Sequence, residues 1–517
     1  MPKSPGALLF RRMVREHQPN TFSTARRYAI MATVMLGSTL YATALLTTST
    51  ILPQMQGALS ATQDEIAWVM TFNILATAVA TPLTGWLVAR FGKRAVMLWA
   101  MLGFTVSTLM CGLSQSLEML VVWRILQGAL GAPTVPMSQT ILLDTFPRSQ
   151  HGMVMSIFGM TVVIGPVLGP ILGGWLVESY SWRWAFHMIV PVGLAAFSGM
   201  WMMLPRDTER WRTVLDWTGF LALSTAMAAL QLVLARGQRL DWFESTEIRV
   251  EVIVAALALY VFLAHSLTAE NPFLNLKLLR NRNYALGLLL VTIYGMLNFT
   301  PMVLLPPLLQ QHVGFPDSLV GQVIGWRGVG AAIGFLLALP MGRLDPRVSM
   351  GIGFALQVVS GFGLLQIDLN VGMTQLIANS LLQGIAVGVI WVPLTQITFE
   401  TVDPALRAEA TAIYHLLRNI GSSFFISLCV AQIVRTTSAN YSRLSEQISP
   451  HNPVLSQPWA VGGWVLDTVP GLARFGREVG RQAAMLGYLN AFTMYTAASA
   501  LAIALILLVK RRKAGLA

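Results

Sequence analysis

Apolar runs of about twenty residues recur fourteen times along this 517-residue chain, and few other features leave a polypeptide so little choice of fold. A helix of that length crosses about 30 Å of hydrocarbon. Inside lipid the backbone must satisfy its own hydrogen bonds, which a helix does. The runs lie at Tyr28–Thr50, Ile66–Ala89, Ala95–Ser114, Met119–Leu143, Met153–Val177, Trp184–Leu204, Val214–Ala235, Val250–Ala269, Tyr284–Leu309, Leu319–Leu344, Ser349–Ile367, Met373–Phe399, Glu409–Val434 and Met485–Val509. Only 11% of residues are charged, against about a quarter in a soluble domain. The expected fold class is an all-α polytopic membrane protein.

The net charge of +12 raises nucleic acid as a partner, and the placement of the charges argues against it. With the N-terminus inside, 23 of the 35 lysines and arginines fall in inward-facing segments and nine in outward-facing ones. The other three, Arg124, Arg327 and Arg418, fall within runs. By the positive-inside rule both termini are expected in the cytoplasm, and the basic balance reflects topology. Cys111 and Cys429 sit in separate runs, which suggests neither a disulfide framework nor a metal site. Residues 1–27 read as a retained cytoplasmic lead, because no small-residue cleavage site precedes a soluble domain.

The fourth and fifth runs carry the clearest chemistry. Around Arg124, helical spacing puts Gln127, Gly128 and Gly131 on one face, at i+3, i+4 and i+7. A charge at that depth is expected to point into the protein, either for coupling or gating or as a structural hydrogen-bond anchor. The fifth run repeats glycine at Gly165, Gly169 and Gly173, with Pro166 and Pro170 between them. That pattern offers a groove for a neighbouring helix and a place to bend. An internal repeat relates two parts of the chain: LQG then VPMSQ at Leu126–Gln139, and LQG then VPLTQ at Leu382–Gln396. Such correspondence is what two six-span halves produce.

These features resemble the major facilitator superfamily. Arg124, Gln127, Gly128 and Gly131 look like its fourth-helix motif. Gly165, Gly169, Pro170, Gly173 and Gly174 match its fifth-helix antiporter motif. The likeness is to the fourteen-span drug:proton antiporters of the EmrB/QacA type, through PLTGWLVARFGKR at Pro82–Arg94, LQLVLARGQRLDWFES at Leu230–Ser245 and VLLPPLLQQHVGF at Val303–Phe315. It implies the major facilitator fold, two six-helix halves plus two extra central helices. The expected divisions are a lead over 1–27, a first half over 28–204, a linker and extra pair over 205–283, a second half over 284–509 with an outer segment at 435–484, and a tail over 510–517. The loop holding Gly85, Arg90, Gly92, Lys93 and Arg94 resembles the family's cytoplasmic motif, with Ala89 at the aspartate position. It reads as a latch or as a basic membrane anchor. The first run departs from the family, with Ala44 where relatives carry an acid suited to moving a proton.

Further candidates follow. His415 beside Arg418 is a candidate for proton coupling. Asp144, Asp216 and Glu400 fall near span ends, where capping or solvated roles are expected. A substrate cavity is expected from Asn73, Gln139, Asn298, Trp326, Arg327, Trp391, Gln396 and Tyr414, on spans one, two, four and five and their counterparts nine, ten, twelve and thirteen. The stretch GLARFGREVGRQAA reads as an amphipathic helix against the outer leaflet or a partner, or as a solvated loop. No nucleophile–base pair, phosphate loop, metal cluster or cofactor motif appears, so no enzyme is expected. The resemblance implies a bacterial inner-membrane exporter of amphipathic small molecules by proton antiport, with a periplasmic adaptor and outer-membrane channel as partners. The alternatives are export of a specific lipid, siderophore or organic acid, or a membrane sensor with degenerate coupling.

Overall fold

The computed structural model describes residues 22–206, 214–269, 272–342, 344–403, 406–448, 452–453, 457 and 468–509. Most of the N-terminal lead, the linker residues 207–213, the tail from 510, Pro404 and much of 449–467 lie outside them. The described residues form helices and no strand. In chain order these are α1 (Thr24–Thr50), α2 (Leu52–Ala58), α3 (Gln63–Ala80), α4 (Thr84–Phe91), α5 (Lys93–Leu113), α6 (Leu117–Gly131), α7 (Thr134–Thr145), α8 (His151–Ser179), α9 (Trp184–His187) and α10 (Ile189–Met203). They continue as α11 (Trp217–Arg236), α12 (Thr246–Thr268), α13 (Arg282–Pro307), α14 (Asp317–Met341), α15 (Pro346–Leu365), α16 (Met373–Phe399), α17 (Arg407–Glu446) and α18 (Val469–Ile506).

Thirteen helical stretches among the described residues are long and apolar enough to cross a membrane. The fourth expected span is absent from that count because it is broken at Ala132 and Pro133 into α6, of 15 residues, and α7, of 12. Proline removes a backbone donor and crowds the carbonyl one turn back. Pro133 and Pro136 do this twice within one turn, so the crossing is completed by two helices end to end. Elsewhere capping residues set the starts. Thr62 and Glu65 form a reciprocal capping box at α3, and Ser116 and Asn281 accept from backbone N–H groups at α6 and α13. Gly92, at φ 87°, makes the turn from α4 to α5 in a conformation that other residues rarely adopt.

The thirteenth and fourteenth spans are longer than expected. α17 has 40 residues and α18 has 38. At 1.5 Å per residue each is nearly twice the hydrocarbon thickness. The polar run after Val434 contains no glycine or proline until Pro450, so nothing stops the helix at the lipid boundary. The stretch GLARFGREVGRQAA is the first part of α18, continuous with its apolar part. It lies beside the polar part of α17, where Tyr441 faces Gly476 and Gly480.

The chain divides into two compact units. Unit 1 takes residues 1–228, 258–278 and 399–416, and unit 2 takes 229–257, 279–398 and 417–517. In unit 1, α1 packs along α8, α3 along α6, and α10 against α1 and α5. The α1–α8 contact rests on the fifth-span glycines. A Cβ at Gly165 would come within 2.7 Å of the Thr39 carbonyl, and one at Gly169 would lie equally close to the Thr43 carbonyl. Gly173 faces Thr47, while Gly174 is partly exposed and Pro170 lies within the same helix. In unit 2, α15 and α13 pack on α18, and glycines 330, 334, 384 and 388 bring the α14 and α16 backbones together.

Candidate functional site

Arg124 is the centre of a buried polar cluster in unit 1. It lies on α6, 1% exposed, with its Nε donating to the Val69 carbonyl at 3.3 Å and its Nη1 donating to Gln127 Oε1. Gln127 Nε2 passes the chain on to the Thr108 hydroxyl on α5 at 2.7 Å. From α3, Asn73 Nδ2 donates to the Arg124 carbonyl at 2.7 Å, and the Thr77 hydroxyl donates to the carbonyls of Asn73 and Gly128. Tyr41 reaches Thr77 at 3.1 Å. A Cβ on residue 128 would run into the Asn73 carbonyl, so glycine there permits this α3–α6 approach. Among the described residues Arg124 makes no ion pair, and neutral dipoles hold it. A buried cation held this way is costly, and it favours negative or polar groups near it while disfavouring another proton.

A second polar line in unit 1 joins α7 to the start of α17. Residues 407, 411 and 415 recur every four positions and so share one face. Arg407 donates to Asp144 at 2.7 Å, Thr411 meets Thr140 at 2.8 Å, and His415 Nε2 meets Gln139 Oε1 at 2.6 Å. Asp144 also accepts from Lys93 at 2.6 Å. The three cations of the α4–α5 turn therefore do three things: Lys93 pairs with Asp144, Arg94 donates to the Trp201 carbonyl, and Arg90 is exposed. Tyr414 is fully buried against Phe399 and His415. Glu409 accepts from the Asn275 backbone N–H, with Gly85 packed on its Cβ.

Unit 2 buries two further cations. Arg327 on α14 donates to the Asn298 carbonyl at 2.6 Å and to its side-chain oxygen at 3.1 Å. The Arg418 guanidinium lies 5.7 Å from the Trp391 ring centroid and 5.9 Å from that of Phe299, and donates to Asn419. Trp391 in turn lies against Tyr294. Gln383, the repeat partner of Gln127, donates to Asn379, which accepts from Ser360. The repeat extends to backbone contacts. Gly128 faces the Asn73 carbonyl, and Gly384 faces the Arg327 carbonyl. Asn73 and Arg327 thus occupy corresponding places, and Ser380 corresponds to Arg124. Each unit buries one arginine at this helix pair, on opposite members of it.

The family model of the Major Facilitator Superfamily matches residues 34–426. The chain belongs to the major facilitator superfamily. It is a multi-pass membrane protein, and its relatives place it with the EmrB type within that superfamily. It is 32% identical to the multidrug export protein EmrB of Haemophilus influenzae, over 78% of this chain and 80% of that one. It is 31% identical to the fatty acid resistance protein FarB of Neisseria gonorrhoeae, over 82% and 85% of the two chains. Among solved structures, the proton:xylose symporter XylE superposes with a TM-score of 0.61 at 13% identity, over 95% of this chain and 97% of that one. The human organic anion transporter MFSD10 gives 0.59 at 15% identity, over 93% and 99%. Both show the shared fold.

Within this major facilitator chain, the residues singled out from sequence separate into clusters. Arg124, Gln127, Gly128 and Asn73 come together, as do Gln139, His415 and Tyr414. Arg327 joins Asn298, and Arg418 joins Trp391. His415 and Arg418 are neighbours along α17, yet His415 meets Gln139 while Arg418 meets Trp391 and Phe299. Trp326 is 43% exposed beside the buried Arg327, and Gln396 is partly buried. Ala44 is buried. Sequence reasoning passed over Thr77, Thr108, Glu409 and Arg407. A threonine in an apolar helix gives no signal in a single sequence, and Glu409 looked like a span boundary. Asp144 was expected to be solvated or capping and instead joins two cations.

Proposed function

We propose that this chain is a secondary active exporter of drugs and other amphipathic small molecules, working by proton antiport and alternating access. The observation that carries this reading is Arg124, a buried cation held by the Val69 carbonyl and Gln127 with the Phe186 ring centroid 5.9 Å away, and with no carboxylate pairing it among the described residues. A membrane protein retains such a charge where it acts on a moving charge. The relatives named for multidrug export support the substrate class. One proton crossing about 100 mV supplies about 2.3 kcal/mol, enough for about fifty-fold accumulation. With alanine at position 44, the proton carriers we assign are His415, against Gln139, and Glu409. We place the chain in the bacterial inner membrane with both termini cytoplasmic. The paired polar lengths of α17 and α18 then project outward, where a periplasmic adaptor and an outer-membrane channel would join it. Small polar and aromatic groups such as Asn298, Trp326, Trp391 and Gln396 would contact substrate.

The test is efflux of a fluorescent cationic dye from cells lacking their own pumps, with the native chain and with Arg124→Ala, with and without a protonophore. Export that stops with the protonophore and is absent in the variant is the expected result. Dye efflux that persists in a well-expressed Arg124→Ala chain would remove Arg124 from the mechanism. The relative named for fatty acid resistance supports a second reading, export of a long-chain carboxylate. Protection against fatty acids without dye efflux would select it.

A further inference from the structure

A groove of about 420 Å³ lies on unit 1 between the Arg94 end of α5 and the last turns of α10. Leu98, Trp99, Leu102, Phe197 and Trp201 line it, with Arg94 and Arg206 at its rim. Its two indoles face outward, Trp99 71% exposed and Trp201 58%, while Leu102 and Phe197 are half-buried and Leu98 forms the buried floor. Arg94 is held in place by donating to the Trp201 carbonyl at 2.7 Å, with its guanidinium 5.5 Å from the Trp201 ring centroid. Arg206 follows the end of α10 and is exposed.

Depth along the helices orders these groups. Leu98 and Leu102 lie one and two turns into α5 from Arg94, about 6 and 12 Å along its axis. Phe197 lies one turn into α10 from Trp201. The groove therefore runs from two cations and the Trp201 indole into an apolar wall, with the Trp99 indole one turn deeper beside Leu98. Indole rings favour the headgroup level of a bilayer, and basic pockets between membrane helices attract anionic headgroups. A soluble anion would use the rim and leave the apolar wall uncovered, whereas a phospholipid covers both.

We infer that this groove is a binding site for an anionic phospholipid, its phosphate between Arg94 and Arg206 and one acyl chain along Leu98, Leu102 and Phe197. The likeness of each cation's setting to a lipid surface gives the expected size: about five-fold preference per arginine, and about thirty-fold for both, equivalent to about 2 kcal/mol.

The full-length chain, purified in a neutral detergent, is titrated with phosphatidylglycerol or phosphatidylcholine of the same acyl chains. Native mass spectrometry follows bound lipid, and the unfolding midpoint follows its effect. The expected result is preferential retention of phosphatidylglycerol with a raised midpoint. Arg206→Gln, which removes no hydrogen bond seen among the described residues, should lower the preference about five-fold. Arg94→Gln/Arg206→Gln should abolish it, and Arg94→Lys/Arg206→Lys should keep most of it. Equal retention of the two lipids by the native chain overturns the site, as does undiminished preference in Arg206→Gln. An equal rise of the midpoint with glycerol 3-phosphate or inorganic phosphate assigns the rim to a soluble anion and overturns the lipid.

Discussion

At the scale of single residues, geometry decides more than charge. Arg124 uses two different nitrogens in two directions, toward Val69 and toward Gln127. A lysine places one compact charge on a flexible stem and cannot copy that fork. Arg124→Lys is therefore expected to fold and reach the membrane yet lose at least ten-fold in export rate, measured by dye efflux per molecule of protein. A rate near that of the native chain would show that charge alone suffices. Gly128→Ala addresses the same cluster from the backbone, because its new methyl collides with the Asn73 carbonyl. Overpacking of this kind costs about 1–3 kcal/mol and should lower the unfolding midpoint. Arg124 and Gly128 were visible in the sequence through their spacing. Thr77 and Thr108 were not, since their part depends on which helices meet.

Among the helices, ends and breaks follow local chemistry that a sequence carries openly. Pro133 and Pro136 split the fourth crossing, and the absence of a breaker lets α17 run to 40 residues. The start of α11 is more distributed. Asp216 accepts from the Gly219 N–H at 3.0 Å, from the Phe273 N–H at 2.9 Å and from His265 at 2.9 Å. Desolvation pushes its carboxyl up, and these three donors together outweigh it, holding it below the ordinary carboxylate value. A carboxylate with a lowered folded value stabilises the fold fully above its ordinary value near 3.9. That contribution is lost as pH falls through the lower folded value. Asp216→Asn should cost about 1–2 kcal/mol at pH 7, and the native and variant midpoints should converge as pH falls below about 4. A gap between the two midpoints that is unchanged from pH 7 to pH 3 would show that the charge is not what caps α11.

In the whole molecule, elements distant in sequence meet at Asp144. Lys93 from α5 and Arg407 from α17 both donate to it, although 51 and 263 residues separate them from it. Partly exposed ion pairs contribute about 1 kcal/mol or less each. Removing the shared acid is worse, because it leaves two cations side by side. Asp144→Asn should therefore destabilise by about 2 kcal/mol, and adding Lys93→Gln should recover part of the loss, read as unfolding midpoints of the purified chain. Equal midpoints for the single and double variants would show that the two cations do not interact through this position. Arg407 joins residues 399–416 to unit 1, although the second half of the sequence supplies them.

The fold class was legible because hydrophobic length and internal hydrogen bonding permit a membrane chain few other structures. The span positions, the fifth-span glycine face and the paired LQG segments followed from periodicity and spacing. Burial in lipid also made Arg124, Arg327 and Arg418 conspicuous before any contact was known. What each of them touches was decided only in three dimensions. His415 turned to Gln139 while Arg418 turned to Trp391, Asp144 gathered two distant cations, and the buried arginine exchanged sides between the two repeats. Such pairings depend on helix rotation and crossing, which are set by close approach at glycines such as Gly128, Gly165 and Gly384. A sequence states where such an approach is permitted, and packing determines which partner fills it.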